Sequence, residues 1–492
     1  MSGLLVYEQF ESLGSTLGAS RTNFPFTSID QLFAGGDDEE QSNWGTPAQD
    51  ARKGLIGRFN YDYKGKYLAE FSFRYDGSLK FHPDRRWGFF PSVSLGWRLS
   101  EEAFMKKFSN LDNLKVRGSY GILGNDAVGG WQWLTNYSFG NAYIFNQAPI
   151  KSIVSGGIPN VDLTWEKTAT FNFGVDASIY KGLLAVEADV FYKRTYDILG
   201  SRNASMPQTF GATLPSENYG IVKVKGFELQ VKHDNKIGDF RYHVGGNVSW
   251  SRNKVIEKDY GSMSEPWNIP VGKTMGYRAC FVALGLFQSD EEAAAWPRFK
   301  GTQPTAGDVK YADLNNDGIM DERDKKVVSP YSNTPEIMFG LNLSASWKGF
   351  DFSALFQGAA NRNVMLSGFA TQMFINGASN LPKYLYEDHW TPDNRDARYP
   401  KAWGPDHPSN NKSSTFWLIN GNYVRLKNVE LGYSISKDLL SRVGVDRLRI
   451  YVGGSNLFSI DHMPGYDPEK QDGGPNYYPQ QRVFNMGVNI TF

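Results

Sequence analysis

The last nine residues of the chain alternate between apolar and small polar side chains. The apolar positions are Phe484, Met486, Val488, Ile490 and Phe492, and Asn, Gly, Asn and Thr stand between them. A β-strand turns successive side chains to opposite faces, so this segment has one apolar face and one polar face. On its own it fits a C-terminal strand of a soluble sandwich or a transmembrane strand, whose neighbours pair its backbone while lipid covers its apolar face.

The same one-sided alternation recurs along the chain and decides between the two. Clear runs occupy residues 59–63, 69–75, 171–179, 242–250, 341–347, 350–356 and 429–435. We count roughly fourteen to sixteen such runs, each near the ~9–11 residues that cross a membrane at a tilt. Many begin or end on Tyr, Trp or Phe, as aromatic girdles at the two interfaces require. We therefore predict an all-β fold, a large antiparallel transmembrane β-barrel.

Composition agrees with strands that face lipid on one side and water on the other. Aromatic residues make up 15% of the 492 residues, although the mean hydropathy is only −0.45. No stretch approaches the ~18 consecutive apolar residues of a membrane helix. Lys plus Arg and Asp plus Glu both number 52, so no net charge attracts nucleic acid, and none is expected as a partner.

The beginning of the chain lacks the features of an export signal. Met1 is followed by an apolar stretch with neither a basic region before it nor a small-residue cleavage site after it. Residues 3–8 look like the end of a strand whose beginning is missing. We therefore expect residues 1–492 to be the C-terminal portion of a longer barrel protein.

Long and short connections alternate between the predicted strands. Segments 18–52, 123–165, 256–275, 289–332, 361–421 and 461–479 are rich in Gly, Pro, Asn and Asp, and 18–52 includes an acidic run at 37–40. Short turns stand at 64–65, 181–182 and 348–349, each with the sequence Lys-Gly. Bacterial barrels have short periplasmic turns and long extracellular loops, so we assign the long segments to the extracellular rim.

One long loop contains the ligand spacing of a calcium site. Side-chain oxygens stand at positions 1, 3, 5, 9 and 12 of a twelve-residue loop, a glycine at position 6 and a backbone carbonyl at position 7: Asp313, Asn315, Asp317, Asp321, Asp324, Gly318 and Ile319. This is the pattern of an EF-hand or dockerin-like loop. Position 12 is Asp instead of the usual Glu, and the flanks do not look like paired helices. The alternative is a turn whose side chains hydrogen-bond their own backbone; we favour calcium.

The sequence contains no other clear motif for metal binding or catalysis. His389 and His407 lie in one acidic loop with Asp406, but without the spacing of a metal site, and a solvated loop explains them better. No paired carboxylates, Gly-x-Ser-x-Gly sequence or phosphate-binding loop stands out, so we predict no catalytic residue and no enzyme. The single cysteine, Cys280, lies in an apolar run and is interpreted as a packing residue.

Five loop tryptophans could stack on sugar rings: Trp131, Trp133, Trp390, Trp403 and Trp417. For any one of them, packing within a loop or at the membrane interface is the commoner role. The residues that contact cargo are therefore left unassigned.

Eight segments in order carry a family resemblance. They are LVYEQ at 5–9, YLAEFSFRYDGS at 67–78, FPSVSLGWR at 90–98, KVRGSYG at 115–121, NYG at 218–220, KGFEL at 225–229, NYVRLKNV at 422–429 and GSNLF at 454–458. In their order and spacing they resemble the C-terminal part of a SusC/RagA-type TonB-linked outer-membrane protein. We therefore expect the family's N-terminal parts to lie outside residues 1–492: signal sequence, carboxypeptidase-like extension, TonB-contacting segment, plug domain and first barrel strands.

The resemblance implies a function in energised uptake. Such proteins are approximately 22-stranded plugged barrels that work with a SusD-like surface lipoprotein, which closes over the extracellular mouth. Glycans, or in some members peptides, are captured between the two, and the TonB complex drives their release inward. We expect outer-membrane import of glycans. A passive porin, peptide uptake and a secreted glycan hydrolase remain as alternatives, and the sequence does not identify the cargo.

Overall fold

The computed structural model describes the chain except residues 27, 37–40, 146–147, 213, 262–263, 375–380, 404–408, 437–439, 441–443, 474–477 and 479. The acidic run predicted at 37–40 therefore lies outside the described residues. The described part contains two short α-helices, α1 Asp290–Ala295 and α2 Lys383–Glu387. None of the helices in that part is long and apolar enough to cross a membrane.

Strands account for most of the regular structure. Those in the first half of the chain are β1 Ser2–Arg21, β2 Gln41–Tyr63, β3 Tyr67–Ser78, β4 Trp87–Arg98, β5 Leu111–Asn125, β6 Tyr137–Phe145, β7 Ala148–Ser155, β8 Glu166–Ile179, β9 Leu184–Gly200, β10 Glu217–Ile237 and β11 Phe240–Glu257. Those in the second half are β12 Arg278–Phe281, β13 Ala283–Leu286, β14 Arg298–Phe299, β15 Val309–Tyr311, β16 Ile319–Met320, β17 Lys325–Ser329, β18 Ile337–Trp347, β19 Phe350–Ala360, β20 Asn363–Met365, β21 Leu418–Asn420, β22 Tyr423–Ser434, β23 Arg447–Asp461 and β24 Val483–Thr491.

Fourteen strands form one large sheet. Its order is β1-β2-β3-β4-β5-β8-β9-β10-β11-β18-β19-β22-β23-β24, so each strand lies beside the sheet strands before and after it in the chain. The pairs with a described register are antiparallel. The predicted all-β class and large antiparallel sheet are confirmed.

The apolar positions form continuous rows on one face of this sheet. One row runs from Met486 in β24 through Val452, Leu431 and Phe352 to Ala345 in β18. Its first four side chains are between 38 and 85% exposed. Exposed apolar rows of this length are unfavourable in water, whereas lipid solvates them. This face is therefore the one that contacts the membrane.

The opposite face carries charged groups that pair across neighbouring strands. In β23, Arg449 donates to Asp351 of β19 at 2.9 Å (Nε to Oδ2) and to Glu430 of β22 at 2.6 Å. These residues alternate in sequence with the apolar row, which places them on the other side of the sheet. Because burying charge in hydrocarbon is costly, this face must contact water.

The three short Lys-Gly turns adopt the conformation that a tight hairpin needs. At Lys64-Gly65 the φ angles are 54° and 66°, and at Lys181-Gly182 they are 58° and 82°. Two successive positive φ angles match the twist of antiparallel strands, and glycine at the second position removes half of the steric cost. The predicted short turns are confirmed.

Several predicted boundaries are wrong. Strands β1, β2 and β10 contain 20, 23 and 21 residues, well beyond the expected length. Residues 3–8 begin β1 instead of ending a strand, and 18–21 and 41–52 are strand instead of loop, with Gly18 opposite Trp44 and Ser20 opposite Ser42. Backbone pairing satisfies the polar main chain whether or not the side chains alternate, so strands extend past their apolar stretch.

The long segments also contain structure of their own. Strands β6 and β7 pair as a hairpin within 123–165, and α1 with β14–β17 lies within 289–332. Segment 361–421 contains the β20–β21 pair and α2. Composition identified these segments as connections between sheet strands, but it did not indicate their internal pairing.

The chain divides into two compact units, each with its own buried cluster. The first comprises Met1–Leu95, Ser119–Thr170 and Thr195–Ile221, and the second Gly96–Gly118, Phe171–Arg194 and Val222–Phe492. In the first unit, Phe81, Phe90, Leu163 and Trp165 pack together. The largest cluster of the second unit comes mostly from segment 361–421: Val364, Leu366, Ala370, Met373, Leu385, Tyr399, Trp403, Trp417 and Met463.

A charge on the lipid-facing side of β24 should impair assembly. Val488 lies opposite Ile450 in an exposed apolar row, and Val488→Lys should cost ~2–4 kcal/mol if the position is near the bilayer midplane. We expect this variant to lose the folded band that an unboiled sample shows on a gel. Asn485→Lys, on the water-facing side of the same strand, is the matched control; equal loss in both variants would contradict the assignment of faces.

Candidate functional site

The 313–324 loop rests on a small apolar cluster in the second unit. Met320 in β16 is 3% exposed and packs with Phe281, Val309 and Tyr311. Strand β16 pairs in parallel with β14, and the loop ends in a 3-10 turn, Glu322–Asp324, that leads into β17. As predicted, the flanks are strands and a short turn instead of the paired helices of an EF-hand.

The first half of the loop is closed by Asp313. Its Oδ1 accepts a hydrogen bond from the backbone N–H of Asn316 at 2.7 Å, and its Oδ2 accepts one from Gly318 at 2.9 Å. Gly318 has a φ of +80°, which an L side chain rarely adopts. Asn315 and Asp317 lie on the same turn, and the Asn315 amide donates to the Asp317 carboxylate at 2.9 Å. The structure thus brings positions 1, 3 and 5 together.

Asp324, at the last position of the loop, points its carboxylate to the backbone of the loop. Asp324 is fully buried, and its two oxygens accept hydrogen bonds from the backbone of Leu314 at 2.9 Å and of Asp321 at 2.8 Å. These bonds join the two ends of the loop. Asp324 therefore acts as an internal brace, whereas the residue at this position of an EF-hand turns both of its oxygens to the calcium ion.

An arginine supplies a positive charge inside the predicted ligand set. Arg323 contacts Asp317 Oδ2 at 2.5 Å and Asp321 Oδ2 at 2.8 Å through Nη2. Hydrogen bonds from Arg323 hold the pKa of the Asp321 carboxyl below its usual range. A calcium ion would have to displace this guanidinium from both carboxylates.

The loop therefore fits a cation in part. Asp313, Asn315, Asp317 and the carbonyl of Ile319 lie on one turn, but the carboxylates at positions 1, 5, 9 and 12 all accept hydrogen bonds within the loop. Over the described residues, no group of three or more His, Cys, Asp or Glu side chains is placed to hold a metal ion. Calcium binding stays a prediction, and this arrangement favours a weak site.

The loop tryptophans separate into two groups. Trp390, Trp403 and Trp417 are 8%, 6% and 1% exposed, so their rings pack inside segment 361–421. Trp131 and Trp133 are half-buried, with ring centroids 6.1 Å apart and planes at 42°. The indole N–H of Trp133 is buried and has no hydrogen-bond partner among the described residues. Of the five, these two are the tryptophans that keep part of their surface exposed.

Buried arginines hold the segment after β23, a feature that sequence reasoning missed. Arg425 of β22 is 4% exposed and pairs with Asp467 at 2.7 Å and Glu469 at 2.8 Å. Arg362 is equally buried and donates to two carbonyl groups of the same segment at 2.5 and 2.6 Å. The sequence places Arg425 on the water-facing side of a strand end, and this position could have indicated a buried ion pair. Its partners could not be identified, because they lie over 40 positions away in the sequence, at 467 and 469.

The remaining candidates have structural roles. Cys280 is fully buried, and burial raises the pKa of its thiol to about 11, which confirms its interpretation as a packing residue. The His389 ring contacts the backbone carbonyl of Tyr386 at 2.8 Å. His407 and Asp406 lie outside the described residues.

Comparison with known proteins identifies the family of the chain over most of its length. A family model described as "TonB dependent receptor-like, beta-barrel" matches residues 6–457. TonB-dependent receptor P26 of Formosa agariphila is 29% identical over 464 residues, which covers 89% of this chain and 46% of the relative. TonB-dependent receptor SusC of Bacteroides thetaiotaomicron is 26% identical over 454 residues, covering 89% and 43%. The chain spans about half the length of the curated relatives it matches.

Solved structures support the fold. The RagAB peptide importer in the 'open-open' state superimposes with a TM-score of 0.77 at 23% identity, covering all of this chain and 52% of the other. The RagAB peptide transporter gives a TM-score of 0.76 at 24% identity with 53% coverage. Together with the curated relatives, these similarities confirm the predicted resemblance to the SusC/RagA type.

We expect the 313–324 loop to bind calcium weakly, with a dissociation constant on the order of 10⁻⁴–10⁻³ M. Asp313→Ala with Asp317→Ala should abolish the binding, because it removes two anionic ligands. Arg323→Gln should tighten it, because the competing guanidinium is removed. Calorimetry measures the calcium affinity of the purified full-length protein and of both variants.

Lys325→Gln is the control for the arginine substitution, since it removes a neighbouring positive charge that pairs with Glu322 instead of the ligand carboxylates. If the unmodified protein and the Arg323→Gln variant both fail to bind at millimolar calcium, the loop is only a hydrogen-bonded turn.

Proposed function

This chain belongs to the TonB-dependent receptor-like β-barrel family, and from that premise we propose that it forms the membrane-spanning wall of an outer-membrane importer. The observation that carries the proposal is the family match over residues 6–457 on a sheet whose strands expose apolar rows on one face. In such an importer the TonB complex supplies the energy for cargo release.

We propose transport without covalent chemistry. The water-facing side of the sheet carries paired charges, such as Arg117 with Asp189 at 2.6 Å and with Asp176 at 3.1 Å. Such pairs give the wall a polar surface, and each of their carboxylates is engaged by a cation. The wall is suited to passing polar cargo.

The second part of the proposal is a SusD-like surface lipoprotein that closes over the long-loop rim. Its support is the internal structure of these loops. Segment 361–421 has its own buried core, and Arg425 and Arg362 clamp the segment after β23 against the sheet. Loops fixed in this way present a preformed surface, which lowers the entropic cost of docking a partner.

For the cargo we propose oligosaccharides. The Trp131–Trp133 pair offers two half-buried aromatic rings, which suit the apolar face of a sugar. Peptide cargo is the second candidate, because the RagAB importer that shares this fold is described as a peptide importer.

Uptake by cells separates these possibilities. A strain lacking the gene, and the same strain complemented, are given a pool of fluorescent oligosaccharides and, separately, a pool of fluorescent peptides. We expect accumulation of oligosaccharides in the complemented strain only, and none after a protonophore removes the energy source. Trp131→Ala with Trp133→Ala should weaken uptake roughly tenfold, since each ring contributes about 1 kcal/mol or less of contact energy.

Trp347→Ala is the control, because Trp347 stands beside the short Lys348-Gly349 turn on the other rim. Uptake that persists with the protonophore would identify a passive porin. Release of reducing sugar by the purified protein would identify a hydrolase, and accumulation of peptides alone would reverse the cargo assignment.

A further inference from the structure

A cavity of about 560 Å³ lies in the second unit, at the end of β10 and β11 that joins the long segments. Its lining includes Lys223 and Lys225 of β10, Arg252 and Lys254 of β11, and Lys273 from the segment after β11. None of the described lining residues is acidic. The cavity therefore concentrates five cationic side chains in a chain whose net charge is zero.

The cavity lies directly beyond the aromatic edge of the lipid-facing surface. Trp250 of β11 is opposite Ile337 of β18, and Val248 is opposite Phe339, in the apolar rows described above. The ring of Phe227 in β10 is 6.0 Å from that of Trp250. Aromatic residues at this depth mark the boundary between hydrocarbon and headgroups.

Basic residues continue this face beyond the aromatic pair. Because residues two apart along a strand share a face, Lys225 and Lys223 follow Phe227, and Arg252 and Lys254 follow Trp250. Strands β10 and β11 are neighbours joined by two residues, so the two pairs of cations lie side by side. Like charges opposite each other destabilise a sheet, and a bound anion would offset that cost.

Three of these charges have no ion-pair partner in the part of the chain that the structure describes. Lys223, Lys225 and Lys254 form no ion pair with any residue that the structure describes. Arg252 differs, because Glu336 accepts two hydrogen bonds from it at 2.7 Å each. The three strand lysines thus supply most of the cavity's charge that no described carboxylate offsets.

The floor of the cavity is fixed. The Lys273 ammonium group donates to the carbonyls of Pro266 and Trp267 at 2.9 and 2.7 Å and lies 4.7 Å from the centre of the Tyr277 ring. Tyr192 of β9, 42% exposed, also contributes to the lining. A rigid basic floor next to exposed aromatic surface suits a ligand that has both an anionic and an apolar part.

We propose that this cavity binds a phosphate group of a phosphorylated lipid headgroup in the outer leaflet. The strand lysines point from the face that lipid contacts, so a headgroup in the adjacent bilayer reaches them directly. Basic pockets at the membrane interface bind lipid phosphates in this way. The inference goes beyond import and requires only that the sheet spans the membrane with its long loops outward.

The test uses the full-length protein in detergent, titrated with bisphosphorylated lipid A and with the same lipid after removal of its phosphates. We expect binding of the phosphorylated form only. The triple variant Lys223→Gln, Lys225→Gln, Lys254→Gln should bind it at least about tenfold more weakly, since each basic side chain contributes electrostatically. Heat-modifiable migration on a gel verifies that each variant is folded.

The triple variant Lys64→Gln, Lys181→Gln, Lys348→Gln removes the same charge at the other rim and should bind normally. Equal binding of both lipid forms, or an unaffected Lys223/Lys225/Lys254 variant, would overturn the proposal. So would complete displacement of the lipid by millimolar inorganic phosphate, because it would identify a site for free anions. If the triple variant does not fold, Lys225→Gln alone should still weaken binding several-fold.

Discussion

Lipid offers no hydrogen-bond partner, so every backbone N–H and C=O group that crosses the apolar layer must be paired within the protein. Within the fourteen-stranded sheet, the strands between β1 and β24 meet this requirement by pairing with a neighbour on each side, and β1 and β2 are paired over all 20 residues of β1. Because the backbone is satisfied in this way, the side chains are free to differ on the two faces. One face can then carry rows such as Met486–Val452–Leu431 while the other carries Arg449 with its carboxylates.

Because the strands must satisfy this constraint, the buried loop cores, the buried arginines and the basic cavity are found at the ends of the strands. Between the strands the short turns only reverse the chain, but the long segments pack around cores of their own and are fastened by buried arginines such as Arg425. At the end of β10 and β11 the lipid-facing side changes from aromatic to basic within two residues, from Phe227 to Lys225. The sites proposed above for cargo, partner and headgroups therefore all lie at the ends of the strands.

Sequence reasoning succeeded where one physical signal dominates. Period-two alternation located β24 and the class of fold, and Lys-Gly pairs located the tight turns, because both signals are local. It failed for the outer parts of β1 and β2, since strands outside lipid need no apolar face. It also missed that both oxygens of Asp324 accept hydrogen bonds from the backbone. It missed as well that Arg323 pairs with the predicted ligand Asp317. The spacing of ligands in the sequence does not specify the direction of their side chains.

Site-directed spin labelling of β24 tests the lipid-facing assignment most directly. Single cysteines are introduced at each position from 484 to 491, and Cys280 does not interfere because it is fully buried. In reconstituted membranes, labels at even positions should be accessible to oxygen, which partitions into lipid, and labels at odd positions to a water-soluble nickel complex. The period of two should run through the whole strand. Uniform access of the nickel complex to every position would contradict a membrane-spanning strand.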